Sequence, residues 1–153
     1  ARLFTANGRV IADAAIDWVM TDAEGRPSRF PAEFEAFVQR VGATFLLIKI
    51  PAAPPEGTST RTVEIPLRTS DIDPLGHVNH AAWLEIVEEA LAAAAPEQLA
   101  ATRRRIRLEY LAVTEGTRAL VQISQQPENS DLRVDVRDAH GVALLRGLIT
   151  VSR

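Results

Sequence analysis

Cysteine is absent from the 153 residues. That excludes disulfides, thiolate zinc sites and a cysteine nucleophile. Long apolar runs are missing as well. The longest, Phe45-Leu46-Leu47-Ile48, is interrupted at once by Lys49 and Pro51, far short of the roughly 20 residues needed to cross a bilayer. No sustained apolar core follows Arg2, so no signal peptide is read at the front. Positive charge is not in excess: 17 Lys and Arg stand against 20 Asp and Glu, a formal net charge of −3. A phosphate backbone favours a basic surface, so nucleic acid is not expected as a partner. A membrane partner is not expected either, and the balance points to a soluble, cytoplasmic protein. What is present is a hydrophobic share of 46%, enough for an ordinary domain with a real core.

The front of the chain reads as a hairpin. Asn7-Gly8 is a strong two-residue turn signal. Residues 9 to 20 then alternate, with Val10, Ala12, Ala14, Ile16, Trp18 and Met20 on one face and Asp13 and Asp17 on the other, as in a half-buried strand. A polar, turn-rich stretch follows to Pro31, then a short helix from about Ala32 to Val41. Residues 46–60 hold Pro51, Pro54, Pro55 and Gly57 and read as a linker.

The second half has a fuller pattern. Thr62 to Thr69 form a strand with Val63, Ile65 and Leu67 on one face. Residues 81–95 are helical, because Trp83, Ile86, Val87, Ala90, Leu91 and Ala94 trace one apolar stripe. Glu85, Glu88 and Glu89 lie off it, and Pro96 ends it. Four strands follow: one around Ile106, Leu108, Tyr110 and Ala112, then Arg118 to Gln125, Leu132 to Asp138, and Val142 to Val151. Ala139-His140-Gly141 turns the last hairpin. One long helix between a first strand and an antiparallel meander is an α+β plan. The two hairpins, turning at Gly8 and Gly141, also suggest an internal repeat.

Between the first strand and the helix, Asp71 to His80 gathers two of the three histidines, two aspartates and an asparagine. Asp73-Pro74-Leu75-Gly76 has a type I turn signature, and Asn79 stands where a helix N-cap would. A helix N-terminus offers unpaired N–H groups and partial positive charge, which suit a carbonyl oxygen gaining negative charge under attack. A nearby carboxylate serves as base or nucleophile, and an imidazole takes and returns protons near neutral pH. These are the parts for hydrolysing an activated acyl group, with no cofactor or metal required. Turn and capping duty alone also accounts for such residues, and Asp71 by itself reads as structural. A metal reading has little behind it, since Pro74 and Gly76 break helical ligand spacing and no distant ligand cluster accompanies them.

Arg68 through Leu84, with Asp71-Ile72-Asp73 and Gly76-His77-Val78-Asn79-His80 at its centre, resembles the signature of hotdog-fold thioesterases. Arg107-Leu108-Glu109-Tyr110 and Glu115-Gly116 resemble the family's next strand and turn. Ala15-Ile16-Asp17-Trp18-Val19, with Arg26-Pro27-Ser28-Arg29-Phe30-Pro31, is similar to the end of the first hotdog in tandem fatty acyl-ACP thioesterases. The resemblance implies a hotdog fold: an antiparallel sheet wrapped around one long helix. Residues 1–45 would close a first repeat, 46–60 would link, and 61–153 would form a complete hotdog with the catalytic loop. It implies Asp73 as base or nucleophile, with His77, Asn79 and His80 as the other catalytic candidates. Glu109 or Glu115 would supply an additional acid, although alternation turns Glu109 away from Leu108 and Tyr110. Gly76, Val78 and Trp83 are the candidate substrate contacts; Trp83 and Trp18 also fit a core. Leu75 stands where plant-type relatives carry a catalytic asparagine; His80 stands where other hotdog thioesterases place a histidine, and where the common motif has an asparagine after Asn79. The implied substrate is an acyl thioester of acyl carrier protein or of CoA, and a non-catalytic acyl-binding module is the alternative. A hotdog completes its site by pairing with another, so a homo-oligomer or an upstream repeat is expected. Arg103, Arg104, Arg105 and Arg107 form a basic patch that suits an acidic carrier, a CoA phosphate, or simply solvent.

Overall fold

The computed structural model describes the chain apart from residues 18, 24, 25, 27, 42–49, 55, 102, 115, 126–130 and 153, and apart from the side chain of residue 152. The chain divides into two units, 1–48 and 49–153.

In the first unit, β1 (Arg2–Phe4) pairs antiparallel with β2 (Val10–Asp13). Gly8 turns the hairpin at φ +82°, a conformation that costs glycine nothing. Alternation suggested a strand to residue 20. The ladder stops at Arg2↔Asp13, where its partner ends, because strand length is set by available hydrogen-bond partners as well as by pattern. The strand is also exposed throughout, not half-buried. Helix α1 (Ala32–Arg40) forms where expected. None of its residues is buried; Phe30, just before it, stacks on Phe34, and Phe34 meets Phe37 at a tilt. Trp18 lies outside the described residues.

The second unit holds the main sheet, in the order β3-β5-β6-β7-β4, antiparallel at every pairing. Its strands are β3 (Ser59–Pro66), β4 (Arg103–Tyr110), β5 (Arg118–Gln125), β6 (Leu132–Arg137) and β7 (Ala143–Ser152). β3 starts three residues earlier than the apolar pattern indicates, since Ser59, Thr60 and Arg61 pair with Gln125, Ser124 and Ile123. Helix α2 (His80–Ala94) packs on β3 and β5. Its stripe is the expected one: Trp83, Ile86, Val87, Ala90 and Leu91 are buried and Ala94 packs beside them. Ala95 breaks the helix, and Pro96 opens the short α3 (Pro96–Leu99). Among the described residues no helix is long and apolar enough to cross a membrane.

Cross-strand register sorts the two sheet faces. Val63, Val121, Val136, Leu145 and Tyr110 lie in one row on the helix-facing side, and Ile123, Val134, Gly147 and Leu108 in the next. Gly147 is the close-approach point, for a Cβ there would fall 2.9 Å from Leu108 Cδ2 and 3.3 Å from Val134 Cβ. The off-stripe glutamates tie the helix to its surroundings. Glu85 accepts from Arg68 (3.0 Å) and Glu88 from Arg104 of β4 (3.1 Å). On the opposite face Arg133 is buried at 1% exposure. It pairs with Asp135 and donates to the carbonyls of Pro51 (2.6 Å) and Ala53 (3.2 Å). The proline-rich segment is therefore strapped to the sheet here, with Ile50 buried beside it at 4% exposure.

Candidate active site

The loop between β3 and α2 is fastened at both ends. Leu67 N–H donates to Thr117 O (2.8 Å). A single turn of 3-10 helix, Thr69–Asp71, follows. Asp71 is buried, and its carboxylate accepts from Arg68 N (2.7 Å) and Arg68 Nε (2.9 Å). The hydrogen-bonded Arg68 side chain holds the Asp71 carboxyl below the usual carboxylate range, and the same bond pushes Arg68 further up. Asp71 thus does the structural work its position suggested. Its carbonyl also accepts from Asn79 N (2.8 Å), and Ile72 bridges Val78.

Between these clasps the turn closes on Asp73. Asp73 N–H donates to His77 O (2.8 Å), and Gly76 N–H donates to Asp73 O (3.0 Å). Gly76 lies at φ +79°, where a side chain would be strained. The Asp73 carboxylate is half-buried, and its Oδ1 accepts from Leu75 N (2.9 Å) and His77 N (3.0 Å). No hydrogen bond to Oδ2 is found among the described residues. One oxygen fixes the carboxylate while the other keeps its lone pairs for chemistry.

The other candidates separate into groups. Asn79 is the N-cap: its Oδ1 accepts from Ala81 N (2.8 Å) and its carbonyl from Trp83 N (3.0 Å). The Ala81 amide is therefore occupied by the cap and is not an open donor for a substrate carbonyl. His77 is exposed beside the turn. His80, the first residue of α2, stacks its ring on Tyr110, with centroids 4.3 Å apart and planes 25° from parallel. Val78 and Trp83 lie in the core at 5% and 4% exposure, supporting the loop from beneath. Glu109 sits opposite Arg146, on the face away from Tyr110, with Oε2 enclosed and without a hydrogen-bond partner among the described residues. Strand alternation thus turns Glu109 away from Leu108 and Tyr110, as the sequence pattern had it, while His80 stacks on Tyr110. Glu115 lies outside the described residues. Leu75 is 78% exposed at the turn's tip.

Two contributors had no role in the sequence reading: Tyr110, and Arg68 as the cation clasping Asp71 and Glu85. Tyr110 had one available signal, as the chain's single tyrosine. Burial raises the pKa of its hydroxyl.

A family model described as the acyl-ACP thioesterase C-terminal domain matches residues 56–143. The chain belongs to that family. The match contains all of the loop, α2 and the strands up to the start of β7, and the chain is a thioester hydrolase that acts on acyl thioesters. A protein assigned as an oleoyl thioesterase from Lactobacillus plantarum is similar in structure. The two share 18% identity and a TM-score of 0.54, over 88% of this chain and 55% of that one. This likeness supports the hotdog fold. An acyl-ACP thioesterase from Bacteroides thetaiotaomicron aligns at 18% identity and TM-score 0.49, over 72% of this chain and 44% of that one. A 1,4-dihydroxy-2-naphthoyl-CoA thioesterase from Synechocystis aligns at 19% identity and TM-score 0.46, over 60% and 79% respectively. The chain thus spans about half the length of the first two. A search of the curated proteins finds no match.

Proposed function

We propose that the chain hydrolyses the thioester of acyl-ACP, releasing a free fatty acid and the carrier protein. The observation that carries this reading is the Asp73 carboxylate, held through Oδ1 by Leu75 and His77 N–H. In this mechanism Oδ2 takes a proton from water as the water oxygen adds to the thioester carbonyl. The partial positive end of α2 stabilises the oxyanion. The carbon–sulfur bond then breaks, and the leaving thiolate takes a proton, with His80 and His77 as the candidate donors.

The carrier protein is preferred over CoA for two reasons. The family is named for acyl-ACP. Arg103, Arg105 and Arg107 also line one face of edge strand β4 with no ion pair among the described residues, a row that suits an acidic protein. The test offers medium- and long-chain acyl-ACP and acyl-CoA to the purified protein and follows release of free thiol. Acyl-ACP should be turned over with the higher kcat/KM, and a combined Arg103, Arg105 and Arg107→Ser variant should lose that preference most at low salt. A preference for acyl-CoA would select the CoA reading. No hydrolysis of either would select a non-catalytic acyl-binding role.

The domain plan belongs to the same proposal. β1, β2 and α1 bury nothing yet present Leu3, Phe4, Val10, Ile11, Phe34 and Phe37 to solvent. This supports residues 1–45 as the closing part of a first hotdog that needs further hotdog structure to cover it. Sedimentation of the 16.7 kDa chain as a stable monomer at all concentrations would count against it.

A further inference from the structure

We propose that Tyr110 is a positioning residue for the reaction: its ring fixes the orientation of the His80 imidazole beside the Asp73 turn. The inference rests on the reading of that loop as catalytic. Tyr110 is the only aromatic residue in the five-stranded sheet and the last residue of β4. Register puts it in the helix-facing row with Leu145 and Val136. Those two are fully buried, whereas Tyr110 is 40% exposed, so part of its ring is left for a contact outside the core.

What the ring does touch is His80, at 4.3 Å between centroids and 25° between planes. The His80 backbone is fixed, because it opens α2 directly after the Asn79 cap. Its side-chain torsions place the imidazole, and the stack on Tyr110 is one of the interactions that bear on them. A near-parallel stack favours the rotamer that keeps the two planes in contact. Proton transfer demands hydrogen-bond reach, and a small misplacement of the transferring group is costly in rate. The phenol oxygen has no part in this role; the ring plane does.

Four variants of the 153-residue chain test the inference: Tyr110→Phe, Tyr110→Leu, His80→Gln and the His80→Gln/Tyr110→Leu pair. Tyr110→Phe should keep kcat within about twofold. Tyr110→Leu should lower kcat about tenfold with KM within about twofold. In the His80→Gln background, Tyr110→Leu should have no further effect. Proton NMR gives a readout independent of turnover. The ring protons of His80 should be shifted upfield in the wild type and in Tyr110→Phe. In Tyr110→Leu they should move toward those of exposed His140. Tyr110→Gln replaces Tyr110→Leu if the latter does not fold by circular dichroism. The inference is overturned by a folded ring-less variant with wild-type kcat, by an equal loss in Tyr110→Phe, by additive losses in the pair, or by an His80→Gln protein of full activity. An Asp73→Asn protein of full activity would instead sink the loop reading itself, while the NMR shift would still report the stack.

Discussion

Asp73 has two separable duties, and a pair of substitutions divides them. In Asp73→Asn the side-chain oxygen can still accept from Leu75 and His77 N–H, the two bonds that shape the turn. Only the charge and the basic second oxygen are lost. Charge-assisted bonds are stronger than neutral ones, and here they are partly exposed, so the loss of stability should be about 1 kcal/mol. Asp73→Ala removes both bonds and should cost about 2–3 kcal/mol. The rate should not follow that order. Removing a general base costs about 10²–10⁴-fold, or roughly 3–5 kcal/mol of transition-state stabilisation, and both variants remove it. The assay pairs thiol release from acyl-ACP with urea unfolding of the same samples. Equal, large losses of kcat with unequal losses of stability are the expected outcome. An Asn variant within about fivefold of wild type would exclude Asp73 as the base and leave it as a turn cap. Equal stabilities for Asn and Ala would refute the claim that Oδ1 holds the turn.

Three further outcomes follow from the geometry. Gly147→Val should destabilise by about 3 kcal/mol and Gly147→Ala by about 1–2, because a Cβ meets Leu108 and Val134 at once; a Val variant as stable as wild type in urea would contradict the packing. Asp71 is held below the usual carboxylate range chiefly by the Arg68 hydrogen bond, so its contribution to stability is full above about pH 4 and disappears as pH falls through the lowered folded value. Asp71→Asn should therefore flatten the acid limb of a stability–pH profile, and a parallel limb would exclude the linkage. Arg133→Ala strands Asp135 and two carbonyls under the strap and should cost about 3–5 kcal/mol, with faster proteolysis around Pro51 to Gly57; an Arg133→Ala protein that resists protease as wild type does would argue against the clasp.

Where the sequence was legible, one strong pattern usually coincided with one local cause. The α2 stripe from Trp83 to Leu91 was readable because it must face a sheet, whichever sheet that is. The turns at Gly8, Gly76 and Gly141 were readable because each needs positive φ. The Asp73 turn and the Asn79 cap were readable because their bonds span at most four residues. The failures involve distant partners. The short β2 is limited by β1, the early start of β3 by β5, and the tie from Arg133 to Pro51 spans 82 positions. The Tyr110–His80 stack is of the same kind, since nothing in either residue's neighbourhood names the other.

The strap at Arg133 has a consequence for how the protein can be dissected. A fragment cut to begin at β3 would look complete by its strands. It would nevertheless lay bare a guanidinium and a carboxylate that are folded beneath Ile50 to Ala53. The smallest piece that keeps this pair covered starts no later than Ile50, several residues ahead of any sheet hydrogen bond. Trimming residue by residue across that stretch should give a step in solubility and melting temperature at the strap, well before the first strand is touched.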